Sequence, residues 1–229
     1  MKVYIGYDPR EALAYKVAKH SLLRHQPKAE VFCLDRRDLG EILTRPVESR
    51  GNQLWCPISH APMATEFAIS RFAVPLLQRE GWALFVDCDV LFMADVAELF
   101  ALADKRYAVQ VVKHNYQPRE TLKMDGQVQT AYPRKNWSSV MLFNCGHPAN
   151  ERLTLGALNA WPGRDLHAFK WLKDDEIGEL PGEWNRLVGV QDVQPSDRLL
   201  HFTLGGPWLF GWQGGPCDHL WEREALNVA

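Results

Sequence analysis

The sequence predicts an α/β domain built on a mostly parallel central sheet flanked by helices. Short apolar runs closed by glycine or polar turns alternate with segments whose apolar residues recur at helical spacing. One run, at 81–92, meets two carboxylates, Asp87 and Asp89, held one residue apart and followed by more apolar chain. No repeat of fixed period and no linker-like stretch divides the 229 residues, so 1–229 reads as a single domain.

Val3-Tyr4-Ile5 is the first strand, ending at Gly6-Tyr7-Asp8, and Glu11 to Leu23 carries Ala12, Tyr15, Ala18 and Leu22 at helical spacing. That is the strand-turn-helix opening of a Rossmann-like sheet. Glu30 to Leu34 reads as a second strand, Met63 to Gln78 as a helix carrying Phe67, Phe72 and Leu76, and Ala83 to Val86 as the strand feeding the carboxylate pair. Asp95 stands where it caps a helix over 96–100. Tyr107 to Val112 is a further strand. The segment 113–136 then loses periodicity and mixes Lys113, His114, Arg119, Lys123, Arg134 and Lys135 with Tyr116 and Tyr132, which predicts a long mobile loop. Ser138 to Asn144 returns as a buried strand and Pro148 to Leu158 as a helix. From Trp161 onward the chain holds six of its nine tryptophans, with Gly-Gly-Pro at 205–207 and again at 214–216, which predicts an irregular Trp/Gly/Pro-rich C-terminal segment. Aromatic faces there can stack on sugar rings or pack a small core of their own.

Charge and composition narrow the partners. The balance of 26 Lys and Arg against 28 Asp and Glu leaves a net charge of −2, without the polybasic surface that holds nucleic acid. The opening Met-Lys-Val-Tyr-Ile-Gly-Tyr-Asp lacks the apolar stretch of a signal peptide, and no run approaches the roughly 20 apolar residues that span a bilayer. Five cysteines, at 33, 56, 88, 145 and 217, show no Cys-x-x-Cys spacing. The expectation is a reduced, cytoplasmic protein with no transmembrane segment and no nucleic-acid partner.

The carboxylate pair carries the chemistry. Apolar segments avoid ionised Asp unless a counter-ion or good hydrogen bonds compensate the lost hydration. Residues i and i+2 of an extended chain share a face, so Asp87 and Asp89 can reach one hard divalent cation at the carboxyl end of a strand, where open α/β sheets bind ligands. The pair can also simply close a strand and cap the next helix.

Three groups of residues then fall into an order: Ser70-Arg71-Phe72 with Pro75; Asp87-Cys88-Asp89 with Val90-Leu91 and Asp95; and His201-Phe202 followed by Gly205, Pro207 and Trp208. In that order the chain resembles the metal-dependent retaining glycosyltransferases of the GT-A fold, the group of glycogenin and the bacterial lipopolysaccharide galactosyltransferases. The resemblance implies a GT-A-like domain with a nucleotide-binding half at 1–112, the loop at 113–136 and an acceptor-side half at 137–229. It implies Mn²⁺ or Mg²⁺ held by Asp87, Asp89 and His201, and a nucleotide-sugar donor, foremost a UDP-sugar. Gly6, Tyr7 and Asp8 would meet the nucleobase, and Arg71, Cys88, Lys135, Gly205 and Gly206 would line the diphosphate and sugar. Lys173-Asp174-Asp175-Glu176-Ile177 falls where the family has Asp-Gln-Asp and an aliphatic residue, so Asp175, with Asp174 behind it, is implied as the catalytic carboxylate. Trp137, Ser138, Trp184 and Asn185 would face a carbohydrate or lipid-linked acceptor.

The chain departs from the family at three of these places. The family's middle Gln is Asp175, its Asn-Ala-Gly is Asn136-Trp137-Ser138-Ser139, and the lysine usually found before Pro-Trp is Gly206. That lysine normally touches the diphosphate, so its absence means that Lys135 or another loop cation substitutes, that donor affinity is weak, or that activity is lost. The residues taken alone leave three further readings open. Asp8 can cap the turn at Pro9, His201 can be a hydrogen-bonded histidine at a strand end, and 173–176 can be a solvated acidic helix start. For the whole chain, the alternatives are a nucleotide-sugar-binding protein without turnover and a sugar nucleotidyltransferase. The second would need a Gly-rich basic loop after the first strand, and Gly6-Tyr7-Asp8-Pro9-Arg10 is not one. A phosphatase using the carboxylate pair would want a hydroxyl residue where Leu91 stands.

Overall fold

The computed structural model describes residues 1–115 and 134–228. Of the loop expected at 113–136, positions 116–133 lie outside the described residues.

The central sheet forms around β1 (Lys2–Gly6), which pairs in parallel with β2 (Glu30–Leu34) across the intervening helix α1 (Ala12–His25). A small antiparallel sheet follows, with β3 (Glu48–Arg50), β4 (Gln53–Cys56) and β5 (Ala61–Met63). After α2 (Val74–Gln78), β6 (Trp82–Val86) returns to the other side of β1, also in parallel. β7 (Val90–Phe92) and α3 (Val96–Phe100) lead to β8 (Val109–Val111). β9 (Val140–Asn144) inserts antiparallel between β6 and β8. Helices α4 (Leu155–Ala160) and α5 (Gly163–His167) precede β10 (Ile177–Glu179), which pairs in parallel with β8. Last come β11 (Arg186–Leu187), β12 (Leu199–His201) and α6 (Asp218–Ala225). The order β10-β8-β9-β6-β1-β2 runs five strands in one direction with β9 reversed. This is the mixed α/β fold the sequence predicts, with one antiparallel strand inside it.

β1, β6 and β9 are apolar on both faces because both faces are covered, the mark of an α/β sheet. Val3, Ile5, Leu84, Phe85, Val86, Met141 and Phe143 are wholly buried and share one core with Phe67, Phe72, Phe169 and Trp171 from the chain packed over them. Among the described residues no helix is long and apolar enough to cross a membrane. All five cysteines are free thiols.

Two expected helices are shorter than their periodicity suggests. In place of a helix over 63–78, residues 61–63 form β5, Ser70–Ala73 is a 3₁₀ turn and only Val74–Gln78 is α-helical. The first part is pulled out of helical geometry from outside: the Asp8 carboxylate accepts the Glu66 N–H at 3.0 Å, and Arg10 Nη2 donates to the Ala64 carbonyl at 2.9 Å. The expected helix at 148–158 breaks at Leu153, where Thr154 accepts the Ala157 N–H and starts α4 afresh. The tryptophan-rich tail is less irregular than expected, since it ends in α6, packed on α1.

Candidate metal site at the carboxyl edge of the sheet

Directly after β6, the Asp87 N–H donates to the Ser139 carbonyl at 2.9 Å, and the chain turns into β7, which pairs antiparallel with β12 so that Val90 lies opposite His201. The Phe202 N–H then reaches the Asp89 carbonyl at 2.9 Å. Backbone pairing therefore brings together two segments about a hundred residues apart in sequence. Asp87, Asp89 and His201 each offer a ligand atom, and the three atoms lie within 4.8 Å of one another.

The hydrogen-bond chain behind His201 fixes its tautomer. Ser139 Oγ donates to the Asn136 carbonyl at 2.7 Å, so it accepts from Asn185 Nδ2 at 2.8 Å. The Asn185 amide is thereby oriented with Oδ1 toward His201 Nδ1, at 3.0 Å. Only a protonated Nδ1 satisfies that contact, which leaves Nε2 facing Asp89 Oδ1 at 3.4 Å. An imidazole with its far nitrogen tied to an amide oxygen and its near nitrogen turned to carboxylates is the arrangement of a metal-bound histidine. Two carboxylate oxygens and an imidazole nitrogen fit a divalent cation of the Mn²⁺ or Mg²⁺ kind, the nitrogen favouring Mn²⁺.

Arg71 supplies the remaining countercharge. It is buried, its Nη1 lies 2.7 Å from Asp87 Oδ1 and donates to the Ser138 carbonyl at 2.8 Å, and its Nε donates to the Phe67 carbonyl at 3.3 Å. Phe67 and Phe85 flank the guanidinium at 5.2 and 5.1 Å. Arg71 is thus a fixed strut on Asp87. Beside it, Ser138 Oγ meets His167 Nδ1 at 2.7 Å. Burial, then the positive charges of Arg71 and Lys135, push the His167 imidazole well below its usual pKa, so it is neutral and accepts the serine proton.

Several residues singled out in the sequence stand elsewhere or do something else. Asp174 and Asp175 are exposed at the amino end of β10, whose Ile177 pairs with Val109 at the start of β8. Asp174 forms an ion pair with Arg134, whose guanidinium lies 5.3 Å from the Trp137 ring, and neither aspartate belongs to the group of Asp87, Asp89 and His201. Asp8 is wholly buried, and four donors fill its carboxylate: the Arg10 N–H, Nε and Nη2, and the Glu66 N–H. Burial alone would raise its pKa, but those hydrogen bonds hold it below the usual carboxylate range. Asp8 therefore anchors the 64–66 segment and has no spare lone pair for a base. A Cβ on Gly6 would lie 2.6 Å from the Phe67 ring, so that glycine makes room for Phe67. Cys88 is fully buried, and burial followed by the Glu11 carboxylate pushes its thiol up, which makes it core between Asp87 and Asp89. Trp184 and Asn185 are buried, the first in the core and the second holding His201. Lys135 is buried near His167, while Trp137 donates its indole N–H to the His114 carbonyl at 2.9 Å.

The lysine missing at Gly206 has a steric reason. A Cβ there would lie 2.0 Å from the Trp208 ring, which packs against Phe202 and Trp221 at 5.9 and 5.1 Å. Gly205, at φ +127, meets Trp212 in the same way. Gly206→Lys is accordingly expected to destabilise the fold by about 1–3 kcal/mol through overpacking, seen in thermal unfolding, without tightening UDP binding. A variant as stable as the parent that binds UDP more tightly would show that Trp208 moves aside readily.

The chain is 43% identical to Protein CDI of Arabidopsis thaliana over 230 residues, covering 97% of this chain and 85% of that protein. This chain belongs to the CDI family. No protein-family model matches it. Among solved structures, GlyE of Streptococcus pneumoniae TIGR4 in its apo form aligns with a TM-score of 0.62 at 15% identity over 98% of this chain, which spans 60% of GlyE. The galactosyltransferase LgtC, in complex with donor and acceptor sugar analogs, aligns with a TM-score of 0.59 at 12% identity over 100% of this chain and 96% of LgtC. Mouse xyloside xylosyltransferase 1 follows at 0.52 and 12% identity, over 88% and 97%. This CDI-family chain has the GT-A glycosyltransferase fold.

Proposed function

We propose that this chain is a metal-dependent hexosyltransferase that moves a sugar from a nucleotide-diphosphate donor, foremost a UDP-sugar, to a hydroxyl of a carbohydrate or lipid-linked acceptor, retaining the anomeric configuration. The observation that carries the reading is the Asp87, Asp89 and His201 cluster, with its histidine tautomer fixed by Asn185, at the carboxyl edge of a GT-A sheet. A divalent cation there supplies Lewis-acid stabilisation of the departing diphosphate. Asp87 and Asp89 bind it, and Asn185 orients His201 toward it. Arg71 keeps the Asp87 carboxylate in one geometry through its bonds to Ser138 and Phe67. The nucleoside would lie along the β1/β2 edge past Tyr7, within the half formed by 1–112, and the acceptor against the half formed by 137–229. We place the reaction in the cytoplasm.

A second reading, nucleotide-sugar binding without turnover, is favoured by the tryptophan packed at Gly206, where the family's lysine has no room. One titration separates the two. With Mn²⁺ and a panel of UDP- and GDP-sugars, a transferase is expected to bind at least one donor only when the metal is present and to release nucleotide to water or acceptor. Metal-dependent binding with no release supports the second reading. Binding that ignores Mn²⁺ and EDTA alike overturns the metal-dependent transferase reading.

A further inference from the structure

Arg45 is buried, with 6% of its surface exposed, and among the described residues no carboxylate pairs with it. A guanidinium stays charged inside a protein, so a buried one needs an anion beside it. Its Nη1 donates to the Leu158 and Trp161 carbonyls at 2.9 and 3.0 Å, and its Nη2 donates to Cys56 Sγ at 3.1 Å. The Nε–H is buried and has no acceptor among the described residues. Nε and Nη2 share one edge of a guanidinium, the edge with which Arg10, Arg37 and Arg106 grip the carboxylates of Asp8, Asp35 and Asp104. At Arg45 that fork is half filled: the sulfur takes Nη2, and Nε points to the same side with nothing on it.

Cys56, the last residue of β4, is 1% exposed. Its sulfur also meets the Ser59 N–H at 3.4 Å and the Ser59 hydroxyl at 3.1 Å. Ser59 Oγ accepts the Gly163 N–H at 2.8 Å, and the sulfur is the one acceptor among the described residues for its own proton. An S–H on Cys56 would have only that same hydroxyl to point at and would leave the hydroxyl proton unplaced. A thiolate accepts from Arg45 and from both Ser59 groups at once. Burial alone would raise the pKa of this sulfur, but the hydrogen bonds from Ser59 and Arg45 and the Arg45 charge bring it below the ordinary thiol value. The other cysteines, at 33, 88, 145 and 217, are all pushed up by burial.

We propose that Cys56 is held as a thiolate with Arg45 as its counter-ion and is a modification site for hydroperoxides. The sulfur attacks one oxygen of hydrogen peroxide, the S–O bond forms as the O–O bond breaks, and the other oxygen leaves with both protons as water. A thiolate and a peroxide thus give a sulfenate and water, sulfur losing the electron pair that the peroxide gains. The sulfenate keeps the negative charge that the buried guanidinium needs, and its oxygen supplies the acceptor that Nε lacks. Ser59 is only half-buried, so the sulfur lies one side chain below the surface, within reach of an oxidant close to water in size. The clasp ties the end of β4 to α4 and to the start of α5, and none of its residues is among the three metal-ligand candidates. It therefore stands whichever reaction the chain catalyses.

An ordinary thiol is only a few per cent ionised at neutral pH, so a full thiolate reacts about tenfold faster or more even after allowance for its weaker intrinsic nucleophilicity. The full chain is exposed to hydrogen peroxide for timed intervals, quenched with catalase and unfolded into dimedone and iodoacetamide, and each cysteine peptide is read by mass spectrometry. Dimedone adduct at Cys56 is expected to accumulate at least about tenfold faster than at Cys33, an exposed cysteine of the same molecules. Arg45→Lys, which keeps a charge and loses the fork, and Ser59→Ala, which removes one donor, are each expected to slow Cys56 and leave Cys33 unchanged. An advantage of Cys56 over Cys33 below about tenfold in the parent overturns the proposal, and this comparison needs no variant to fold. Parental Cys56 rates in both variants, with thermal unfolding showing them folded, overturn it as well.

Discussion

Asp89→Asn is expected to weaken Mn²⁺ binding by about 100-fold or more while leaving the protein folded, because changes to groups that merely orient metal ligands already cost about 10- to 100-fold. Asparagine keeps the shape and loses the charge. The backbone at 89 is held independently, since its carbonyl accepts the Phe202 N–H and Val90 pairs with His201 across β7 and β12. What disappears is the anionic oxygen 3.4 Å from His201 Nε2. The loss should appear in calorimetric titration with Mn²⁺, and equally in the Mn²⁺-dependent part of UDP binding. An Asp89→Asn protein that binds Mn²⁺ as the parent does would mean that the cluster is a structural ion pair closing the small β7/β12 sheet.

The two ends of that cluster differ in how much the sequence discloses. Asp87 and Asp89 stand out from one dimension alone, because charge inside an apolar strand needs compensation wherever the chain goes. His201 is visible only through resemblance, and the bond of Asn185 to it gives no sequence signal, because the contact is made across the β11/β12 pairing. His167 gives no signal at all. It lies in the apolar stretch Leu166-His167-Ala168-Phe169, which reads as core, and its bond to Ser138 spans 29 residues. Asp174 and Asp175 are hard to place from sequence for a similar reason. An acidic triplet beside an aliphatic residue matches a motif by composition, while the register of β10 against β8, which sets its position, is decided by long-range pairing. Periodicity located the main parallel strands and missed the β3/β4/β5 sheet, whose strands of three and four residues are too short to show alternation.

Arg71 tests whether the cluster is built to receive a cation. Arg71→Ala takes the guanidinium from a carboxylate that has little access to water and leaves a void between Phe67 and Phe85. Removing one partner of a buried ion pair costs about 3–5 kcal/mol, and the lower figure applies because the Asp87 side chain keeps 14% of its surface exposed. For a chain of this size about 3 kcal/mol lowers Tm by about 6–12 °C. A merely structural pair would lose that stability whatever the buffer contains. If Asp87 is a metal ligand, Arg71 competes with the cation for the same oxygen, so its removal raises affinity for Mn²⁺ and lets the ion replace the missing positive charge. Mn²⁺ is then expected to raise the Tm of Arg71→Ala by more degrees than it raises that of the parent, since stabilisation grows with the ratio of ligand concentration to Kd. Equal Mn²⁺ shifts in the two proteins would place the cation away from Asp87 Oδ1 and reduce the Arg71 pair to a strut of the fold.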